Sequence, residues 1–130
     1  MSIMNVICFR CNKPLLLAEE LEAISFYKCT SCNRDYAKKP GKGLTDRWLS
    51  PLSLVLYDII FIKERISDEI IENVSNEINH YEAKKVKFIK DDIVEELTNP
   101  KQKLIDMLGI QGTEENARDY LKRLLKKLKA

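Results

Sequence analysis

Two patterns of apolar positions divide this chain. In residues 1–43 they come in short β-like runs: Ile3-Met4-Asn5-Val6-Ile7, Ala23-Ile24-Ser25-Phe26-Tyr27-Lys28, and the start of a third at Tyr36 and Ala37. Lys38-Lys39-Pro40-Gly41-Lys42-Gly43 breaks regular structure and predicts a boundary. From residue 44 to 130 the pattern turns helical. Ser50 is a helix cap with Pro51 at the first helical position, where its missing N–H costs nothing. The run Leu52 to Ile62 is apolar nearly all round, as expected of the buried centre of a helical domain, although a buried strand competes with that reading. Ser67 caps a second helix with Ile70, Val74, Ile78 and Tyr81 on one face. Ile89, Ile93 and Leu97 continue at steps of four, with room for a break within Lys84 to Lys90. Asn99-Pro100 ends that segment, Lys101 to Leu108 is a short one closed by Gly109, and Thr113 opens the last helix with Glu114 and Glu115 in its first turn.

The expected fold class is α+β: a small N-terminal β unit at 1–43, then an all-α domain of about four helices at 44–130. A chain of 130 residues suits this division, and its 45% hydrophobic and 32% charged residues are those of a globular protein. The net charge of +2 conceals a segregation. Residues 1–50 carry eight Lys/Arg against five Asp/Glu, residues 51–100 six against eleven, and residues 101–130 eight against four. Such blocks can attract one another within the fold or between copies, and the basic ends can meet an acidic partner. The balance falls short of a dedicated nucleic-acid binder. The N-terminus has no basic region leading into a long apolar run, and Leu52 to Ile62 is far too short to span a bilayer; the expectation is a cytoplasmic protein without a membrane partner.

The chemistry concentrates in four cysteines. Cys8-Phe9-Arg10-Cys11 and Cys29-Thr30-Ser31-Cys32 stand 17 residues apart. Two residues between paired cysteines let both thiolates of one turn reach the same ion, and the longer gap lets two such turns close a tetrahedron. Asn follows each pair, at Asn12 and Asn33, where the turn favours positive φ and Asn is the best residue after glycine. Lys13 and Arg34 come next and offset the charge of a four-thiolate site. The expected cofactor is one structural Zn²⁺ held by Cys8, Cys11, Cys29 and Cys32; free thiols, disulfides and rubredoxin-like iron are the alternatives. Four sulfur ligands leave no open position, so the ion is not expected to be catalytic.

Cys8-x-x-Cys11-x-x-Pro14-Leu15, then Tyr27-x-Cys29-x-x-Cys32-x-x-x-Tyr36 and a turn at Pro40-Gly41, resembles one type of zinc ribbon. It is that of small activator proteins partnering tRNA, rRNA and release-factor methyltransferases, and it also precedes the catalytic domain of some bacterial methyltransferases. The resemblance covers Val6 to Gly43. It implies a zinc-binding module whose partner is an RNA-modifying enzyme. The chain departs from that pattern at Ala37-Lys38-Lys39, where apolar residues are usual, and at Asn33, where glycine is typical.

Elsewhere the sequence offers less. Four glycines, Gly41, Gly43, Gly109 and Gly112, make no cofactor-binding loop. His80 is a lone surface histidine, and Asp91-Asp92 with Glu95-Glu96 reads as an acidic solvated face. Trp48 is expected to anchor the two halves. In the last helix Ala117, Tyr120, Leu121, Leu124, Leu125 and Leu128 form a stripe that packs on the core. Arg118, Lys122, Arg123, Lys126, Lys127 and Lys129 surround it, with phosphate contact, a membrane surface or a dimer seam as the functional readings. The first unit supplies the partner-facing set: Phe9, Arg10, Lys13, Arg34, Lys38, Lys39, Lys42 and Arg47. Phe26, Tyr27 and Tyr36 are expected in its core, and Phe9 either there or stacked on a base. The function expected is that of a non-enzymatic binding module for a protein or nucleic acid. The alternative is a regulatory protein whose helical domain forms a homodimer.

Overall fold

In the computed structural model, which describes residues 6–47 and 50–129, the chain divides into two units, 1–47 and 48–130. Ile3 to Asn5 of the expected first strand, and Trp48, lie outside the described residues. The architecture is α+β, an antiparallel sheet followed by helices.

The first unit has four strands among its described residues: β1 (Leu16–Leu21), β2 (Ile24–Cys29), β3 (Arg34–Lys38) and β4 (Leu44–Asp46), paired in that order. Ahead of them the chain makes a narrow hairpin in which Ile7 bridges Pro14. β1 has no counterpart in the sequence pattern, because Leu-Leu-Ala-Glu-Glu-Leu is built from good helix formers. Pairing with β2 overrides that preference, with a bulge between Leu17 and Glu19. Pro40-Gly41 joins β3 to β4: Gly41 turns at φ 72°, Lys42 N–H donates to the Lys39 carbonyl, and the chain re-enters the sheet as β4. The first unit therefore extends beyond residue 43, to Arg47.

Opposed residues share a face of the sheet. Tyr27 stands opposite Tyr36, and Tyr36 opposite Asp46, on the side of the cysteines. Phe26, Ala37 and Thr45 occupy the other side, where Arg47 lies over the Phe26 ring and pairs with Glu19.

The described second unit has five α-helices: α1 (Pro51–Leu56), α2 (Asp68–Asn79), α3 (Ala83–Thr98), α4 (Leu104–Leu108) and α5 (Glu114–Lys127). Ser50, Ser67 and Thr113 each accept a backbone N–H at the start of their helix. α1 is shorter than the apolar run, giving way to a 3-10 turn at Tyr57–Ile59. Leu52, Val55, Leu56 and Ile59 are buried, whereas Leu54, Tyr57 and Phe61 face solvent. That run is thus not apolar on all sides because all sides are buried. The inward face of α2 is Ile71, Val74 and Ile78; Ile70 is only half-buried, and Tyr81 lies past the helix end. α3 runs unbroken through Lys84 to Lys90, the break falling just before it. No described helix is long and apolar enough to cross a membrane.

Polar groups stitch the helices together. Tyr120 donates from within α5 to the Val55 carbonyl at 2.6 Å, and burial holds its phenol above the ordinary range. Glu114 accepts the Leu104 and Ile105 N–H groups, capping α4 from the neighbouring helix. Gln111 N–H donates to the Ile60 carbonyl at 2.8 Å and draws the segment before α5 tightly against residues 60–63. A Cβ on Gly112 would lie 2.7 Å from the Ile62 carbonyl oxygen. Gly112→Ala is therefore expected to cost the second unit about 1–3 kcal/mol, read as a fall of several degrees in its melting transition by calorimetry.

Candidate metal centre

Two turns deliver the four sulfurs. In the first, Cys8 N–H donates to the Lys13 carbonyl and Asn12 N–H to the Cys8 carbonyl, both at 2.9 Å, while Leu15 N–H closes the hairpin on Val6. The second turn joins β2 to β3, with Cys29 opposite Arg34. Asn12 and Asn33 take φ of 60° and 54°, as expected of the residue after each pair. Each turn aims its backbone N–H groups and two sulfurs into one space.

The four Sγ atoms lie within 4.8 Å of one another and form a group able to hold a metal ion. Cys8 and Cys32 are 3.7 Å apart and Cys11 and Cys29 3.3 Å. Both separations far exceed a disulfide bond of about 2.05 Å, and all four cysteines are free.

Protonation is unevenly shared. Burial pushes the Cys8 thiol up, yet the Tyr36 hydroxyl and the N–H groups of Arg10 and Cys11 draw it down to about 6. The Cys32 N–H draws Cys29 below its ordinary value. Burial, with Cys29 and Cys8 alongside, pushes Cys32 up to about 12. The Lys13 N–H pulls Cys11 down, but burial and its contacts with Cys29 and Cys8 leave it raised. In each close pair one cysteine therefore gives up its proton more readily than its neighbour. A cation entering the cluster displaces the remaining protons.

Behind the sulfurs runs a chain of hydrogen bonds that the sequence pattern did not disclose. Asp46 accepts both Arg10 Nη atoms, at 2.6 and 2.9 Å. Arg10 Nη1 also donates to Tyr36 Oη at 3.1 Å, and with that oxygen occupied as acceptor the phenol proton is left for Cys8 Sγ, 3.0 Å away. Burial and the Cys8 sulfur hold the Tyr36 phenol well above its ordinary range, so it remains a donor. Burial alone would weaken the Arg10 cation, but Asp46 more than restores it. A partner that orients and feeds a ligand in this way tunes the ligand's basicity.

The network reassigns one residue of the partner-facing set. Arg10 is only 9% exposed and is engaged by Asp46 and Tyr36. Phe9 is half-buried, edge-on to Tyr36 with ring centres 5.0 Å apart. Arg47 covers Phe26. Lys13, Lys38 and Lys42 are exposed, and Arg34 and Lys39 half-buried. Asp46 was hidden because the expected boundary at Gly43 assigned it to the helical part; the pattern carries no other signal for it.

The second unit brings no comparable cluster together among the described residues. His80 is exposed and its Nδ1 meets the Asn76 carbonyl. Asp92 and Glu96 are buried while Asp91 and Glu95 are exposed, so the four carboxylates do not converge as a solvated face. Glu96 pairs with Arg118 at 3.1 Å.

No protein-family model matches the chain, and neither a curated protein nor a solved structure matches it significantly.

Tyr36→Phe removes the one side-chain hydroxyl donor to Cys8 and raises that thiol's pKa. Protons then compete for the sulfur at higher pH. Metal-loaded Tyr36→Phe is expected to release metal on acidification at a higher pH than the unaltered protein, read as metal content after dialysis across a pH series. Coincident release curves would remove Tyr36 from the site.

Proposed function

We propose that Cys8, Cys11, Cys29 and Cys32 hold one structural Zn²⁺, and that the first unit is a non-enzymatic zinc ribbon that docks on a partner protein. A tetrahedral four-thiolate zinc with bonds of about 2.3 Å has sulfur–sulfur edges of about 3.8 Å, close to the 3.7 and 3.3 Å between the paired sulfurs. Such a shell is closed, so the ion organises the fold and activates no water. The unit needs that help. Its buried apolar cluster comprises Leu15 and Tyr36 together with two of the cysteines themselves, Cys8 and Cys29.

The observation that carries the docking reading is β1. Among the described residues it is an edge strand, with β2 on one side only. Leu16, Leu17 and Leu21 on it are 60%, 55% and 53% exposed. An unpaired edge with exposed leucines suits addition of a strand from another protein. Nucleic acid is the weaker reading. Phe26 and Tyr36 are buried, which leaves few rings for bases to stack on, and Arg10 is paired internally. The resemblance to methyltransferase activators points to a protein partner as well, an RNA-modifying enzyme.

Two experiments test the two halves. Protein prepared reduced and without chelator is expected to contain one zinc per chain by elemental analysis; iron, or no metal, refutes the assignment. Cys29→Ser is expected to lose the ion and unfold the sheet while keeping the helical circular-dichroism signal. For docking, the tagged chain is recovered from its native cells and compared with Leu16→Glu/Leu17→Glu. A protein retained by the former at constant yield and lost with the latter supports the reading. Recovery of nucleic acid alone, released steeply by salt, overturns it.

A further inference from the structure

The second unit leaves an apolar stripe uncovered where the sequence pattern expected a core. Leu54 on α1, Tyr57 on the 3-10 turn and Phe61 just beyond are 48%, 69% and 79% exposed. The first two line a groove of about 450 Å³ with Ser53, Asp58, Glu77, Tyr81 and Leu108. Beneath it, Leu54, Asp58, Glu77 and Tyr81 also border a smaller cleft of about 40 Å³ whose walls include Val55, Val74, Ile78 and Ile89. The groove thus has aliphatic walls, two phenol rings, and two carboxylates on neighbouring elements.

Both carboxylates line the same groove. Asp58 and Glu77 are close enough to interact, and no Lys or Arg of the described residues forms an ion pair with either. Partial burial above all, and then the charge of Glu77, raises the Asp58 carboxyl above its ordinary value. Tyr81 already shows how its ring receives an ammonium: Lys85 Nζ lies 4.4 Å from its centre. Phosphates would be repelled here.

From this charge complementarity we propose that the groove is a docking site for a basic amphipathic segment of a partner protein. A Lys or Arg of that segment lies between Asp58 and Glu77, and its apolar side chains cover Leu54, Tyr57 and Leu108. The inference is independent of the metal centre. A second copy of this chain is the poorer occupant. Its basic amphipathic element is α5, and Leu121 and Leu124 of α5, with Leu128 just past its end, are already buried in its own core.

The test is a titration of the full ¹⁵N-labelled chain with an amphipathic leucine–lysine peptide of about twelve residues, leucines spaced i, i+3, i+4. Saturable amide shifts are expected at Leu54, Tyr57, Asp58, Glu77, Tyr81 and Leu108, with none for the same peptide carrying Glu for Lys. Asp58→Asn/Glu77→Gln is expected to weaken binding at least tenfold while melting at the same temperature or higher, because it removes a like-charge pair. Shifts centred elsewhere, equal affinity for the double variant, or a lower melting temperature for it would overturn the proposal. So would a concentration-dependent dimer in sedimentation that the double variant abolishes, since a second copy would then fill the groove.

Discussion

Four sulfur atoms within 4.8 Å of one another cannot all carry charge unless a cation sits among them. The first unit is organised by that constraint. Its interior is small, and Cys8 and Cys29 belong to it as much as Leu15 and Tyr36 do. Polar atoms so placed need partners, and the unit supplies them from two directions. Backbone N–H groups come from the two turns, a phenol proton from Tyr36, and a neutral Arg10–Asp46 pair holds that phenol in place. The Asn residues follow from the same demand. A turn tight enough to bring two sulfurs to one point must reverse at positive φ, and Asn12 and Asn33 do so without glycine's loss of backbone order.

The second unit solves the opposite problem. It has an ordinary apolar interior, with Leu52, Ile93, Leu104, Leu121 and Leu124 at its heart, and its polar groups work at the seams. The segregation of charge along the sequence becomes intelligible there. Part of the basic C-terminal block answers the acidic middle block. Arg118 reaches Glu96, Arg123 reaches Asp68, and Lys127 reaches Glu72. Asp68 is held below its ordinary value by the Arg123 hydrogen bond, though so exposed a pair adds little to stability in salt. Arg118 also donates to the Glu96 and Gln102 carbonyls, and Arg123 to that of Ile66. These arginines tie helix ends and loops to α5.

What the sequence disclosed follows from range. Local chemistry was legible: the serine and threonine caps at Ser50, Ser67 and Thr113, the left-handed Gly109 ending α4, the paired cysteines and their asparagines. The α+β division was legible too, since strand and helix periods differ. Contacts between distant positions were not. Arg10 and Asp46 are 36 residues apart, and neither carries a mark of the other. β1 was lost for a related reason: its residues favour helix, and only pairing with β2 makes them a strand. The turn at Pro40-Gly41 reads alike whether it ends a unit or folds back into a sheet, and only β4 decides between them.

Apolar runs proved ambiguous in one consistent way. Hydrophobicity reports that a residue gains by leaving water, and leaves open whether its own chain covers it. Leu16, Leu17 and Leu21 on β1, and Leu54, Tyr57 and Phe61 after Ser50, are uncovered in their own units. Both groups have carboxylates among them: Glu19, Glu20 and Glu22 beside the first, Asp58 and Glu77 beside the second. Acidic neighbours keep exposed apolar strips from joining copies of themselves, because two such surfaces bring like charges together. The same charges leave the strips open to a partner of opposite sign, so the acidic neighbours decide which contacts form as well as preventing the wrong ones.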